Sequence, residues 1–231
     1  MATETVENYL KAIYALRASA PVGKFEDSRA AIGDIAAAVR VTPGTATTMV
    51  KRLAREKLVK HQRYGGVQLT AKGERAALSV LRRHRLIETF LVRTLGMDWS
   101  EVHDEAEKLE HALSDALLAK LDTFLGHPAV DPHGDPIPDA NGRLREIALV
   151  AVACCRPGAP LRLARVLDQS PDFLRFLERN SLRIDARLSV ESAEPGAGTI
   201  TIRVGAAPVT LSEQAAANLL VEPIARLRES R

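Results

Sequence analysis

Thr42-Pro43-Gly44 interrupts an otherwise helical stretch, and that break constrains the fold more than any other feature of the chain. Before it, Ile32, Ile35, Ala36 and Val39 recur at helical spacing; after it, Ala46, Met49, Val50 and Leu53 do the same to about residue 57. Threonine caps helix N-termini well and proline is tolerated in a first turn, so the tripeptide ends one helix and starts another. An earlier helix over about 5–18 is marked by Val6, Tyr9, Leu10, Ile13, Tyr14 and Leu16. Next, LVKHQRYGGVQLT reads as two short strands joined at Gly65-Gly66. Helix, helix–turn–helix and hairpin, in that order, make a winged helix, expected to occupy residues 1–70.

A long helical pattern follows over about 70–95 and breaks at Gly96. With Ser100 as its N-cap, a second long helix is expected to about residue 125, striped by Val102, Ala106, Leu109, Leu113, Leu117 and Leu121. Such a stripe needs a partner to bury it, so residues 71–142 are expected to form a helical dimerisation domain. Its end, GHPAVDPHGDPIPDANG, is a linker or ordered loop in which His127 and His133 are expected to be solvated. Beyond it, LRLARVL, ARLSVES, TITIRVG and PVTLS read as strands, PDFLRFLERN as a short helix, and 215–220 as a late helical turn. Residues 143–231 are therefore expected to be a small, mostly β domain, in a chain that is otherwise mainly α.

Charge divides the chain in the same way. Residues 1–75 carry six lysines and seven arginines against seven carboxylates, a net of +6 in a chain whose total is +3. A basic first third on a slightly acidic remainder suggests one domain for nucleic acid, although a solvated basic face gives the same count. No apolar run approaches the roughly 20 residues that span a bilayer, and MATETVENYLKAIY lacks the basic-then-apolar pattern of a secretory signal. The two cysteines, Cys154 and Cys155, are adjacent, a poor disulfide pair without zinc-ligand spacing, and are expected to be small buried hydrophobes. A reducing compartment, the cytoplasm, follows.

A helix that reads DNA must offer short polar side chains to base edges and cations to phosphates. Thr42, Thr45, Thr47 and Thr48 stand at the helix start, with Lys51, Arg52 and Arg55 one or two turns on. The hairpin adds Lys60, His61, Arg63 and Tyr64, suited to phosphate or minor-groove contact.

The second constellation lies in the two long helices. His84 and Glu88 stand four residues apart, and His103, Glu107, Glu110 and His111 fall within an arc of about 100° on one continuous helix. Imidazoles and carboxylates on a largely buried face are costly unless paired or metal-bound. Nitrogen and oxygen donors without thiolate suit Mn²⁺ or Fe²⁺ better than structural zinc. Structural histidines in a metal-independent regulator that senses an organic ligand are the competing reading. Against an enzyme, there is no HExxH, evident nucleophile or general-base motif, and no organic cofactor is expected.

Taken together, ENYLKAIY (7–14), DIAAAV (34–39), VTPGTATTMVKRL (41–53), LTAKG (69–73), RRHRLIETFL (82–91), VHDEAEKLEHALSD (102–115) and DPHGDPIP (131–138) resemble the diphtheria toxin repressor family of metal-dependent transcriptional regulators. The last domain resembles that family's SH3-like, FeoA-like domain in pattern only. The resemblance implies a homodimer that, loaded with metal, binds a palindromic double-stranded operator and represses metal-uptake genes. It implies one metal site at His84, Glu88 and His103, and a second at Glu107, Glu110 and His111 with position 8 contributing. Iron-sensing members carry cysteine where this chain has Glu107 and methionine at position 8; manganese-sensing members carry glutamate at the former, so the resemblance leans to Mn²⁺, with Fe²⁺ the alternative. Two positions depart from the pattern: Asn8 stands where manganese members offer aspartate, and Lys11 where some short members offer a carboxylate. Asp168, then Gln169, are the candidates for a fourth ligand to the first site.

Overall fold

The Thr42 hydroxyl accepts the amide of Thr45 at 3.3 Å, with Thr42 itself extended (φ −74°, ψ 152°) and Pro43 in the first turn. That cap separates α2 (Ile32–Ala38) from α3 (Pro43–Arg55), as the tripeptide predicts. The computed structural model describes residues 3–18, 28–62, 65–145 and 147–224. They fall into two compact units: residues 1–84, 110–113 and 138–143 form the first, and 85–109, 114–137 and 144–231 the second.

In the first unit α1 (Glu4–Ala18) turns Val6, Tyr9, Leu10, Ile13 and Tyr14 inward, α2 adds Ile35 and Ala36, and α3 adds Ala46, Val50 and Leu53. Full burial of each large aliphatic side chain is worth about 1.5–3 kcal/mol. Antiparallel β1 (Val59–Gln62) and β2 (Gly66–Leu69) pair from Val59–Leu69 to Gln62–Gly66. Gly66 supplies the positive φ (80°) that the turn requires. The unit is a winged helix.

From Ala71 the helix α4 (Ala71–Leu95) runs through the boundary between the units. Thr70 starts it: its hydroxyl accepts the amide of Gly73 at 3.1 Å and donates to the carbonyl of Lys57 at 2.8 Å.

The single long helix expected over 100–125 is two helices, α5 (Val102–Leu109) and α6 (Asp115–Phe124). The Ser114 hydroxyl accepts the amide of Leu117 at 3.2 Å with Ser114 extended, so a fresh N-cap replaces helix continuation. Glu110 and His111 lie in the turn between them. The expected stripe breaks there too: Val102, Ala106 and Leu118 are buried, whereas Leu109 and Leu117 are exposed. Nor does Ser100 cap α5 as expected; it is buried, and its amide donates to the Asp98 carboxylate at 2.7 Å.

The rest of the second unit is a six-stranded antiparallel sheet of order β3-β8-β4-β5-β6-β7, with β3 (Val150–Ala151), β4 (Leu161–Val166), β5 (Arg187–Glu194), β6 (Thr199–Val204), β7 (Ala207–Ser212) and β8 (Leu219–Pro223). Helices α7 (Pro171–Arg179) and α8 (Glu213–Ala217) pack Leu174, Leu177 and Ala216 into its core. This is the SH3-like β domain. Strands β3 and β8 were not expected, and β8 takes the end of the segment read as a late helical turn. The cysteines depart from expectation as well: Cys154 is exposed and Cys155 half-buried. They end a 3-10 turn (Val152–Cys154) in which only Val152 reaches the core.

Candidate metal centre and nucleic-acid interface

Breaking the helix after Leu109 takes Glu110 and His111 off the α5 face and sets them against α1. Glu110 is fully buried; its Oε1 accepts from the Lys11 ammonium at 2.6 Å and its Oε2 faces His84 Nδ1 at 2.6 Å. Burial alone would raise the Glu110 carboxyl, but the hydrogen bond from His84, the charge of His84 and the Lys11 ammonium outweigh it, leaving the group below its ordinary value. His111 Nδ1 lies 2.7 Å from Glu7 Oε2 and its Nε2 lies 2.8 Å from Asn8 Oδ1 and 3.3 Å from Glu110 Oε1. Both ring nitrogens face acceptor oxygens, an arrangement that needs a proton or a cation between each pair. Glu7 also pairs with Arg83 at 3.4 Å. Asn8, Glu110, His111 and His84 are thus brought together within the first unit, with Lys11 in their midst.

A second grouping belongs to the second unit. Glu88, on α4 one turn after His84, is 1% exposed. Its Oε1 is 3.5 Å from His103 Nδ1, and His103 Nε2 is 3.6 Å from Glu107 Oε1. The other oxygen of Glu88 faces His133 Nδ1 at 4.0 Å. His133 was expected in solvent; it is 1% exposed, stacked on Trp99 with ring centroids 5.7 Å apart, and its Nε2 donates to the Trp99 carbonyl at 2.8 Å. The loop around it is folded rather than solvated because Asp131 Oδ1 accepts the amides of His133 and Asp135 at 2.8 and 2.9 Å, while the carbonyl of Ala164 leaves room at position 134 for glycine alone. Burial, with the charges of Asp135 and Glu88, pushes the Asp131 carboxyl well above the usual range against the pull of Arg85. Glu88, Asp131 and His133 present ligand atoms that all lie within 4.8 Å of one another. Asp131 and His133 escaped the sequence reading; the readable signal was Asp131-Pro132-His133-Gly134, an aspartate placed to cap its own turn. His127 is exposed, as expected.

Asp168 lies elsewhere: its carboxylate accepts the amide of Ser170 at 2.9 Å, and among the described residues it joins no gathered set of metal-ligating groups. The amide of Gln169 donates to Asp135 at 3.1 Å. The donor chemistry of both groupings, imidazole nitrogen and carboxylate or amide oxygen with no thiolate, fits a hard or borderline divalent ion.

On α3, Thr42, Thr45, Thr48, Lys51 and Arg52 are exposed and Thr47 is half-buried. The hydroxyls of Thr47 and Thr48 donate back to the carbonyls of Pro43 and Gly44 at 2.7 and 3.1 Å. That leaves oxygen lone pairs and methyl groups for an approaching groove. Arg52 pairs with Glu56 at 2.8 Å, an exposed contact worth too little to withhold it from a phosphate. Arg63 and Tyr64 lie outside the described residues. Arg29, which the sequence reading passed over, bonds Gln62 on the hairpin at 2.7 Å.

Comparison with known proteins follows the same divisions. Residues 1–67 match the iron dependent repressor N-terminal DNA binding domain, residues 70–139 the iron dependent repressor metal binding and dimerisation domain, and residues 151–223 the FeoA domain. The HTH-type transcriptional regulator MntR of Bacillus pumilus (strain SAFR-032) is 35% identical over 114 residues, covering 49% of this chain and 74% of the relative. The chain belongs to the diphtheria toxin repressor family. This repressor is similar over nearly its whole length to the iron-dependent repressor IdeR of Mycobacterium leprae (strain TN), at 29% identity over 96% of this chain and 98% of the relative. A solved manganese-dependent transcriptional repressor in complex with manganese superposes with a TM-score of 0.85 at 39% identity, covering 95% of this chain and 100% of that one. The protein is a metal-dependent transcriptional repressor of that family, whose named relatives are regulators rather than enzymes. Among the described residues no helix is long and apolar enough to cross a membrane.

Proposed function

We propose that this repressor is manganese-responsive, acts in the cytoplasm, and as a metal-loaded homodimer binds palindromic operator DNA upstream of metal-uptake genes. The observation that carries the reading is the turn holding Glu110 and His111 against Asn8 of α1, with oxygen and nitrogen donors alone. Glu107, where iron-sensing relatives carry cysteine, favours Mn²⁺, since hard oxygen ligands suit it better than a thiolate does. The full-length likeness to an iron-dependent repressor keeps Fe²⁺ as the second reading.

Asn8, Glu107, Glu110 and His111 would hold one ion, and His84, Glu88 and His103 another. A divalent ion supplies the charge that lets several carboxylates share a small space. Asn8 binds through its amide oxygen without adding charge, so its contribution is weaker than an aspartate's. By tying α1 to the turn at 110–113, these residues favour the conformation of the winged helix that reads DNA. Coupling of this kind is limited by the differential affinity of the ion for that conformation, so the metal-free chain retains weak binding. Thr42, Thr45, Thr47 and Thr48 would read base edges, and Lys51, Arg52 and Arg63 the phosphates. Exposed Leu95, Leu109, Leu117 and Phe124, in the region matching the dimerisation domain, are apolar surface of the kind a second copy covers.

The test selects duplexes from a random-sequence pool in Mn²⁺, then follows binding by fluorescence anisotropy at matched free Mn²⁺, at matched anaerobic Fe²⁺, and with chelator. Tighter binding in Mn²⁺ is expected, with Glu110→Ala and His111→Ala losing the metal-dependent part and keeping the salt-sensitive, non-specific part. Normal metal-dependent binding by both variants overturns the ligand assignment; insensitivity of the wild type to chelator overturns the metal reading altogether.

A further inference from the structure

Two consecutive residues of α1 grip opposite edges of one imidazole. Glu7 Oε2 lies 2.7 Å from His111 Nδ1, and Asn8 Oδ1 lies 2.8 Å from its Nε2. Neighbours on a helix point about 100° apart, so the pair straddles the ring. Only Asn8 has a place among the ligands proposed above. Glu7 has none, although its contact with the ring is the shorter of the two.

Hydrogen-bond chemistry assigns the proton. The Glu7 carboxylate, with the Arg83 guanidinium 3.4 Å away, only accepts. His111 Nδ1 therefore donates to it, and in the neutral ring that leaves the lone pair at Nε2. Nε2 faces Asn8 Oδ1 and, at 3.3 Å, Glu110 Oε1. A proton on Nε2 instead would close that nitrogen to a metal. Glu7 does not reach an ion held there: it sits at the opposite nitrogen, and among the described residues it belongs to no gathered set of metal-ligating groups. Glu7 is itself anchored, because Arg83 Nη1 lies 3.5 and 3.4 Å from its two oxygens while Arg83 Nη2 reaches Ser79 Oγ at 3.4 Å. The side chains of His111 and Glu7 are 11% and 14% exposed, so water competes little for Nδ1. An ion pair that merely tied α1 down would be indifferent to which nitrogen it met. Here the carboxylate takes Nδ1 while the ligand oxygens gather at Nε2.

We infer that Glu7 is a positioning residue for the metal: it accepts the Nδ1 proton of His111, fixes the ring's tautomer and aim, and so presents Nε2 to the ion shared with Asn8 and Glu110. Carboxylates placed in this way behind a ligating histidine also strengthen it as a donor. Arg83 on α4 holds the carboxylate from behind, so the aim of a ring in the turn at 110–113 depends on both α1 and α4. The inference rests on the reading of Asn8, Glu110 and His111 as ligands, and its test separates the two.

Mn²⁺ affinity of the full-length protein is measured by competition against a fluorescent chelator. Glu7→Ala, which removes the acceptor, is expected to bind the ion held by His111 roughly 10- to 100-fold more weakly. Glu7→Gln keeps an acceptor oxygen without the charge. Charge-assisted hydrogen bonds are about twice as strong as neutral ones, so it should recover about half of that loss on a logarithmic scale. The ring is read directly in ¹H–¹⁵N spectra of histidine-labelled protein loaded with diamagnetic Zn²⁺, the His111 signal being the one absent from His111→Ala. A protonated Nδ1 and zinc on Nε2 are expected, a choice that a purely structural carboxylate would not impose. Should Glu7→Ala fail to fold, the near-isosteric Glu7→Gln and the wild-type spectrum decide. Wild-type affinity in the Glu7 variants, or zinc on Nδ1, overturns the role of Glu7 while His111 stands as a ligand. Wild-type manganese affinity in His111→Ala overturns the ligand assignment itself.

Discussion

Replacing Lys11 by methionine should make the repressor bind manganese more tightly and, without metal, fold less stably. The ammonium sits 2.6 Å from Glu110 Oε1, with Glu110 fully buried and the Lys11 side chain 15% exposed. A divalent ion on Glu110 would lie roughly 4 Å from Nζ, where like unit charges repel by about 4 kcal/mol at an effective dielectric constant near 20, and a double charge by twice that. The ammonium therefore has to leave before the ion can settle. Giving up a charge-assisted hydrogen bond costs about 1.5–3 kcal/mol. At about 1.4 kcal/mol per decade, Lys11→Met should tighten Mn²⁺ binding by roughly 10- to 100-fold. Methionine keeps the apolar stem, so the folding loss is mainly the ion pair. Each lost kcal/mol lowers Tm by about 2–4 °C in a chain of this size. Competition against a fluorescent chelator reads the affinity, and calorimetry in excess chelator reads the stability. The opposed signs carry the test: lower Tm with unchanged or weaker manganese binding would refute the idea that lysine and metal compete for Glu110. Lys11→Arg, which keeps the cation, should show neither change at full size.

Two further outcomes follow from the same geometry. In Gly134→Ala the new Cβ would stand 2.0 Å from the Ala164 carbonyl oxygen and 2.7 Å from Arg165 Cα, at a φ of +85°. Both obstacles are backbone, so a loss of about 3 kcal/mol or more is expected in thermal denaturation; less than about 1 kcal/mol would mean the loop does not pack on β4 as described. Glu110→Gln should flatten the acid limb of the metal-free stability profile. Because the folded Glu110 carboxyl lies below its ordinary 4.5, the stability it contributes is complete above that value and is lost as pH falls through the lowered one. The gap in urea midpoint between wild type and Glu110→Gln should therefore hold steady from pH 7 to about 5 and close only in stronger acid; closure above pH 6 contradicts the pairing.

Most of the winged helix was legible because independent local signals agreed there. Apolar spacing, the Thr42 cap, Pro43 and the Gly65-Gly66 turn all named the same boundaries. The region 100–125 departs from the expected single helix because it carries two conflicting signals. Leu109, Leu113, Leu117 and Leu121 keep a spacing of four straight through a turn, so periodicity alone saw one helix, while Ser114-Asp115, a helix start, pointed to a break. His133 was misread for a different reason. Proline, glycine and aspartate signal the absence of helix rather than exposure, and an aspartate that accepts its own loop's amides can bury the loop it ends. Strand β8 was lost because the alanines of α8 run directly into it, and a five-residue strand paired on both sides carries no alternation to set it apart.

The break after Leu109 also bears on how metal is sensed. On one unbroken helix His103, Glu107, Glu110 and His111 would share a face and move together, and anything binding at one end would be felt at the other through a rigid rod. The turn ends that rod. Glu110 and His111 answer to Glu7, Asn8 and Lys11 on α1, whereas His103 answers to Glu88 on α4 and is more than half exposed. Histidines eight residues apart therefore sit in different electrostatic surroundings: one beside a carboxylate that is paired with an ammonium, the other beside a carboxylate with a further imidazole on its far side. Ions captured by the two groups need not share an affinity or a pH dependence. Under the proposed ligand assignment, one group would stay filled while the other, held back by Lys11, reports the rise in metal.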